Sequence, residues 1–216
     1  MTTREPLRSA LREQLKRRRS LLHQGARHIG WKIGAGIPEL DRTAIGYLTS
    51  ATVFDHGATL DTIGGRELRA ETELLVQVAR TSPEPRAVVG VAIELVDVAR
   101  PPCELEAIVA GNVFHRAAVL GRARAGALTA GACARLWIDG ELREIAPVTT
   151  DVMTTIAHVA GMLASIGERL RPGDLILAGS LTQVPVRPGS AVAAEIDGAG
   201  RVEVALGPRL EGGPAG

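Results

Sequence analysis

The sequence predicts a single β-rich α+β domain with a helical N-terminal arm. Three observations predict it. Residues 71–79 (ETELLVQVA) and 88–98 (VVGVAIELVDV) are β-branched and apolar enough for buried strands. Two Arg-Pro-Gly turns, at 171–173 and 187–189, precede further strand-like runs at 174–179 and 191–196. One later stretch carries Val152, Ile156, Val159, Leu163, Ile166 and Leu170 at helical spacing, the signature of a single long helix.

Taken in order, Thr2-x-x-Glu5 resembles a capping box that starts a first helix, which ends near Gln24-Gly25. Leu7, Leu11, Leu15 and Leu22 form its apolar stripe, and Lys16-Arg17-Arg18-Arg19 reads as a solvated basic face. Gly30-Trp31-Lys32-Ile33-Gly34 is a short strand bracketed by glycines. Residues 35–50 read as loop, with Gly36, Pro38 and Gly46 as breakers. From Ala51 the chain is mostly strand and turn. Residues 132–138 and 141–145 flank Asp139-Gly140, which suits a type I′ hairpin because both positions need φ > 0. Thr150 or Asp151 caps the long helix and Pro172-Gly173 stops it. The last strand, 201–206, pairs back across Asp197–Gly200. The expected divisions are an arm over 1–30, a main domain over 31–207 and a tail over 208–216.

Composition narrows the function. A chain of 216 residues allows one substantial domain, and 45% hydrophobic residues can fill its core. Only Trp31, Tyr47, Phe54, Phe114 and Trp137 are aromatic, too few for base-stacking platforms on single-stranded nucleic acid. A net charge of +1 gives no general pull toward nucleic acid or anionic membranes. Cys103 and Cys133 fit no zinc spacing and read as two reduced thiols. No apolar run approaches the roughly 20 residues a membrane helix needs. Glu5 and Glu13 weaken a transit-peptide reading of the basic N-terminus, and a cytoplasmic location is the expectation.

Glu71-Thr72-Glu73 is the first constellation with chemistry in it. Residues i and i+2 of a strand share a face, so the two carboxylates emerge side by side. In a partly dry site they repel, and a hard divalent cation relieves that through oxygen ligands. Glu94 interrupts an apolar strand where Val or Leu would be ordinary. Taken alone, the pattern favours a blander alternative: Glu71 and Glu73 on a water-facing edge, with Glu94 paired to an arginine. Lys32 either snorkels to the surface or puts a charge inside a site, and by itself favours the surface. Ser180, in Ala178-Gly179-Ser180-Leu181-Thr182 at the end of strand 174–179, can offer a hydroxyl and N–H groups to an anion. No Gly-x-Ser-x-Gly elbow surrounds it. His115, in Asn112-Val113-Phe114-His115-Arg116, is the histidine of most interest, whereas His158 reads as locally packed or capping. No metalloprotease, P-loop or dinucleotide motif is present.

Several segments nevertheless stand in a familiar order. Gly30–Gly34 resembles the lysine-bearing strand of the 2-keto-4-pentenoate hydratase family, within the fumarylacetoacetate hydrolase superfamily. Ala70–Leu74 resembles its Glu-x-Glu strand, and Ala92–Asp97 the strand with a third acidic ligand. Ala110-Gly111-Asn112 with Ala118–Gly121 is similar to its asparagine segment. Gly167–Thr182 matches most strongly, and Pro188–Ser190 and Gly200–Val204 also fit. The resemblance spans roughly residues 20–206. It implies a mixed β-roll, an Mg²⁺ or Mn²⁺ site on Glu71, Glu73 and Glu94, and homo-oligomers of dimer size or larger. The chain departs from the pattern in a compressed stretch between Glu73 and Glu94, a reduced arm, Gly111 before the asparagine, and the His115-Arg116 pair.

The expectation that follows is a metal-dependent hydratase of a 2-oxo or 2-hydroxydienoic acid such as 2-hydroxypenta-2,4-dienoate. The acid chelates the metal through C1 carboxylate and C2 oxygen, and the metal stabilises the enolate. Lys32, with a depressed pKa, neutralises the carboxylate or shuttles a proton. His115 and Ser180 are further catalytic candidates, and Asn112, Arg116 and Thr182 are substrate-binding candidates. Decarboxylase, C–C hydrolase and tautomerase are alternatives on the same metal site. A non-catalytic structural or regulatory subunit is the alternative from another class.

Overall fold

The computed structural model describes residues 4–34, 44–61, 67–81, 86–99, 105–124 and 128–208. The elements run α1 (Arg4–His23), β1 (His28–Gly34), β2 (Ala44–Thr49), β3 (Val53–Asp55), β4 (Thr59–Leu60), β5 (Leu68–Arg80) and β6 (Arg86–Asp97). They continue α2 (Leu105–Ala110), β7 (His115–Leu120), β8 (Cys133–Ile138), β9 (Glu141–Pro147) and α3 (Val152–Ser165). Strands β10 (Leu175–Pro185), β11 (Ala191–Ile196) and β12 (Gly200–Leu206) complete the chain. No helix among the described residues is long and apolar enough to cross a membrane.

Two mixed sheets result. The larger, a curled half-barrel, has the order β2-β1-β10-β5-β6-β7-β3, and the smaller has β4-β12-β11-β8-β9. Strand alternation gives each a buried inner face. Leu74, Val76, Ile93, Leu95 and Ile176 of the larger sheet meet Leu136, Val192, Ala194 and Val202 of the smaller, forming the main core. The other face of the larger sheet carries a second, smaller apolar cluster of Leu48, Leu75, Ala92, Ala118 and Leu177. That second face also carries the acidic residues discussed below.

The helices close the ends of this arrangement. Ile156, Val159 and Leu163 turn α3 into the main core. Asp151 caps it, accepting from the Thr154 N–H at 2.6 Å. The helix stops at Ser165, earlier than the Pro172-Gly173 signal predicts. Gly167 takes φ +76°, and the N–H groups of Gly167 and Glu168 return to Ala164 O and Leu163 O. That is a Schellman ending, and glycine's tolerance of positive φ sets it two turns before the proline. In the arm, Gln14 Nε2 donates to Ile45 O (3.0 Å) and Val109 O (2.7 Å), fastening α1 to β2 and α2.

Three further expectations need correction. The basic run 16–19 is not wholly solvated: Arg18 is buried, stacks 4.7 Å over Trp31 and pairs with Glu168 at 3.2 Å. Helical spacing puts Arg18 beside Gln14 and Leu15 on the inner face. The loop expected over 35–50 contains β2, antiparallel to β1. Gly46 is there for close approach, since a Cβ would stand 2.7 Å from Lys32 Cγ. Strand 174–179 runs on to Pro185 through two register shifts, so Ser180 lies mid-strand. The Asp139-Gly140 turn has φ 54° and 82°, as a type I′ hairpin requires. Thr2, the lead residue of the expected capping box, the loop breakers Gly36 and Pro38, Cys103, and residues 209–216 of the tail lie outside the described residues. Cys133 is a free thiol.

Candidate metal centre and active site

Strands β5 and β6 pair with Glu71 opposite Glu94, and Glu73 follows two residues along the same face. One carboxylate oxygen from each of Glu71, Glu73 and Glu94 lies within 4.8 Å of the others, and all three residues are buried. The water-facing edge that the Glu-x-Glu spacing favoured on its own is not what forms, because β5 is flanked by β10 and β6.

Neighbouring strands supply the rest. Lys32, 3% exposed, reaches from β1 to Glu94 Oε1 at 2.5 Å and donates to Val113 O at 3.0 Å. His115 Nδ1 meets the same Glu94 oxygen at 2.7 Å, and its Nε2 meets Thr52 Oγ1 at 2.9 Å. The register shift between Leu95 and Val96 skips Arg116, and this bulge puts His115 on the face of Glu94. The Gly179 N–H donates to Glu73 Oε2 at 2.7 Å, and Gln183 Nε2 donates to Glu71 Oε1.

Charge decides what this arrangement can hold. Like charges about 5 Å apart repel by roughly 3 kcal/mol at an effective dielectric near 20. Burial, then Glu94, pushes Glu71 up to about 7, against the pull of Lys32 and its hydrogen-bond donors. Burial and the charges of Glu94 and Glu71 push Glu73 well above the carboxylate range. Burial also opposes ionisation of Glu94, but Lys32 and His115 outweigh it and hold this carboxyl below its usual value. Burial works against the charged form of Lys32, yet Glu94 and Glu71 prevail and raise it. In the metal-free site the shift thus runs opposite to the depression expected of a lysine buried beside a cation, because three carboxylates surround it.

Fully ionised, three carboxylates and one ammonium leave two negative charges, the complement of a divalent cation. Glu94 Oε2 is buried with no hydrogen-bond partner. An all-oxygen donor set with one orphaned carboxylate oxygen fits Mg²⁺ or Mn²⁺.

The remaining candidates divide. Ser180 pairs in register with Glu73, and its hydroxyl donates to Thr182 O at 3.0 Å. Both ends of the Asn112 amide are spent on the backbone of Tyr47 (2.8 and 3.0 Å), so it braces β2 rather than facing substrate. Arg116, half exposed, pairs with Asp97 at 3.1 Å, away from the carboxylates. Thr182 bonds the Thr72 hydroxyl at 2.8 Å on the opposite face. Each of the two bulges in β10 reverses the alternation, so together they restore it and move the register by two residues, and Gln183 rather than Leu181 stands opposite Glu71. Sequence reasoning also missed Thr52, which no motif marks, whereas one of the N–H groups expected at Gly179-Ser180, that of Gly179, does serve an anion, the Glu73 carboxylate.

A cleft of about 310 Å³ borders the site at Gly179 and Ser180. Its far wall is the start of α3, with Thr150, Thr154 and His158. His158, read from the sequence as local packing, therefore faces a cavity.

The sequence matches the family described as fumarylacetoacetate (FAA) hydrolase C-terminal over residues 35–206. The chain belongs to the fumarylacetoacetate hydrolase superfamily. Among solved structures, it is similar to 4-oxalocrotonate decarboxylase from Pseudomonas putida G7 complexed with magnesium and adipate. That match has a TM-score of 0.80 and 20% identity, covering 91% of this chain and 84% of that one. Fumarylpyruvate hydrolase from Pseudomonas aeruginosa, in complex with Mn²⁺ and pyruvate, matches at TM-score 0.58 and 18% identity, over 85% and 91% of the chains. The 5-carboxymethyl-2-hydroxymuconate delta-isomerase of Mycobacterium smegmatis matches at 0.61 and 16%, over 86% and 80%. No curated protein sequence matches the chain.

Proposed function

We propose that this protein is a metal-dependent lyase that hydrates a 2-hydroxydienoic or 2-oxo acid such as 2-hydroxypenta-2,4-dienoate. The observation that carries the reading is the buried trio Glu71, Glu73 and Glu94 with Glu94 Oε2 unpartnered beside Lys32. The three carboxylates hold Mg²⁺ or Mn²⁺, which when bound supplies Lewis acidity to the C1 carboxylate and C2 oxygen of the acid.

Lys32 as an ammonium offsets the substrate's carboxylate, or shuttles a proton by giving one to a substrate carbon and recovering one from the adding water. Val113 O and Glu94 Oε1 take two of its three N–H bonds, which fixes its direction. Ser180 stands between Glu73 and the cleft, where its hydroxyl can meet a polar end of the substrate. The apolar floor of Leu48, Leu75 and Leu177 strengthens each of these interactions by excluding water.

Decarboxylation of a related 2-oxo acid is the second reading, favoured by the likeness to 4-oxalocrotonate decarboxylase. It uses the same residues, and the product separates the two. A homo-oligomer, measurable by light scattering, accompanies either.

The test titrates Mn²⁺ and Mg²⁺ into metal-stripped protein by calorimetry, with and without oxalate as a 2-oxo acid mimic. Saturable binding that tightens with oxalate and disappears in Glu71→Gln/Glu73→Gln supports the reading. A screen of 2-hydroxydienoates and 2-oxo diacids, followed by loss of conjugated absorbance and by CO₂ release, then assigns the reaction. Absence of metal binding under both conditions defeats the lyase and leaves the non-catalytic subunit.

A further inference from the structure

We propose that the left-handed turn Asn112–Phe114 and the His115 imidazole after it form a positioning device, which locks Glu94 and Lys32 so that Glu94 Oε2 faces the divalent cation. The proposal rests on the metal site proposed above and gives His115 a role other than acid–base catalysis.

The backbone supplies the first observation. Asn112, Val113 and Phe114 have φ of 64°, 54° and 63°, three successive non-glycine residues in the left-handed region. Asparagine tolerates this region, but Phe114 is uncommon there and a β-branched residue such as Val113 is a true outlier. Such strain persists only where the surroundings over-determine it, and it gathers at functional sites. Here the surroundings are specific. Asn112 N and Val113 N bond back to Val109 O and Ile108 O at the end of α2. The Asn112 amide clasps both backbone groups of Tyr47. Val113 is 2% exposed, and its side chain occupies the space that a Cβ on Gly34 would need.

What the turn produces is the second observation. It aims Val113 O at Lys32 Nζ and delivers His115 to Glu94 through the bulge at Arg116. A carboxylate oxygen only accepts, so His115 Nδ1 carries the proton of that bond. The ring's other nitrogen is held by Thr52 Oγ1. Thr52 is itself pinned, its N–H on Thr49 O and its carbonyl on Ala118 N at 2.8 Å. With both nitrogens engaged at opposite ends, the ring cannot rotate without losing a bond. Glu94 Oε1 is saturated by Lys32 and His115, and Oε2 is the oxygen left over. Partners behind a ligand fix its orientation, and their loss weakens metal binding about 10- to 100-fold.

The experiment is calorimetric titration of Mn²⁺ into metal-stripped wild type, His115→Leu, His115→Asn and Thr52→Val, with a thermal melt of each. His115→Leu is expected to weaken Mn²⁺ binding about 10- to 100-fold. His115→Asn places an amide nitrogen near Nδ1 and is expected to recover most of that loss. Thr52→Val should fall between them. Wild-type affinity in all three variants overturns the proposal. Equal losses in His115→Leu and His115→Asn, both folded, also overturn it, because packing alone would then explain them. Should His115→Leu fail to fold, Thr52→Val and His115→Asn decide by the same criteria. A wild type that binds no Mn²⁺ brings down the metal reading itself, a result distinct from either of these.

Discussion

At Glu71, Glu73 and Glu94 the physical problem is three like charges in a dry place, and it leads to a pH effect of defined sign. Glu71 rises to about 7 in the folded protein, chiefly through burial, from about 4.5 when unfolded. The folded state therefore holds the proton more tightly, and metal-free protein loses stability as pH climbs through that interval. The loss is on the order of 3 kcal/mol for this residue. Melting temperatures of metal-free wild type and Glu71→Gln, compared between pH 5 and 8, should diverge with the variant the more stable at high pH. Saturating Mn²⁺, by holding the carboxylates ionised, should remove this fall with pH from the wild type. Lys32 is the opposite case, a cation whose charge the site requires. Lys32→Met should cost metal-free protein about 3–5 kcal/mol by leaving buried carboxylates uncompensated, read as a drop in urea midpoint. A gain in stability would show that the carboxylates are protonated without it.

Among the elements, small geometric features carry large consequences. Gly46 and Gly30 lie on paired strands, and each gives way to a neighbour. A Cβ on Gly30 would stand 1.9 Å from Leu175 O, inside the β1–β10 pairing. Gly30→Ala should destabilise by about 3 kcal/mol and displace Lys32, which thermal melts and Mn²⁺ titration would show together. Asp151→Ala removes the cap of α3 at an exposed site and should cost only about 1 kcal/mol. A much larger loss would show that Asp151 also serves the cleft it lines. Glycines explain part of what was hard to read beforehand. In a sequence, Gly46 looks like the loop breaker it often is; in the fold it permits close packing against Lys32. The bulges of β10 and β7 are equally invisible to a count of alternating residues, and they decide that Gln183 rather than Leu181 stands opposite Glu71 and that His115 rather than Arg116 meets Glu94.

At the scale of the whole molecule the N-terminal arm is not an appendage. Leu15 belongs to the main core, Gln14 bridges β2 and α2, and Arg18 joins Glu168, Trp31 and His28. His28 and Trp31 in turn bond Asp174 at 3.1 and 3.3 Å, ahead of β10. Deleting residues 1–24 should therefore abolish cooperative unfolding, as followed by circular dichroism. A sharp transition in the truncated chain would mean that the remaining domain folds alone. The sequence by itself determined the β-rich class, the two long buried strands, the type I′ hairpin and the capped helix, while the acidic trio with its lysine was legible only as motifs in a family's order, since its spacing alone favoured a water-facing edge. Those features are local, or they survive as motifs in order, because propensity, alternation and turn chemistry act over a few residues. Only the tertiary structure decided which side chains share the acidic face, the upward shift of Lys32, the burial of Arg18 and the cleft beside His158. Each of these depends on register and bulges between strands far apart in the chain, and on the charge that such pairing concentrates out of water.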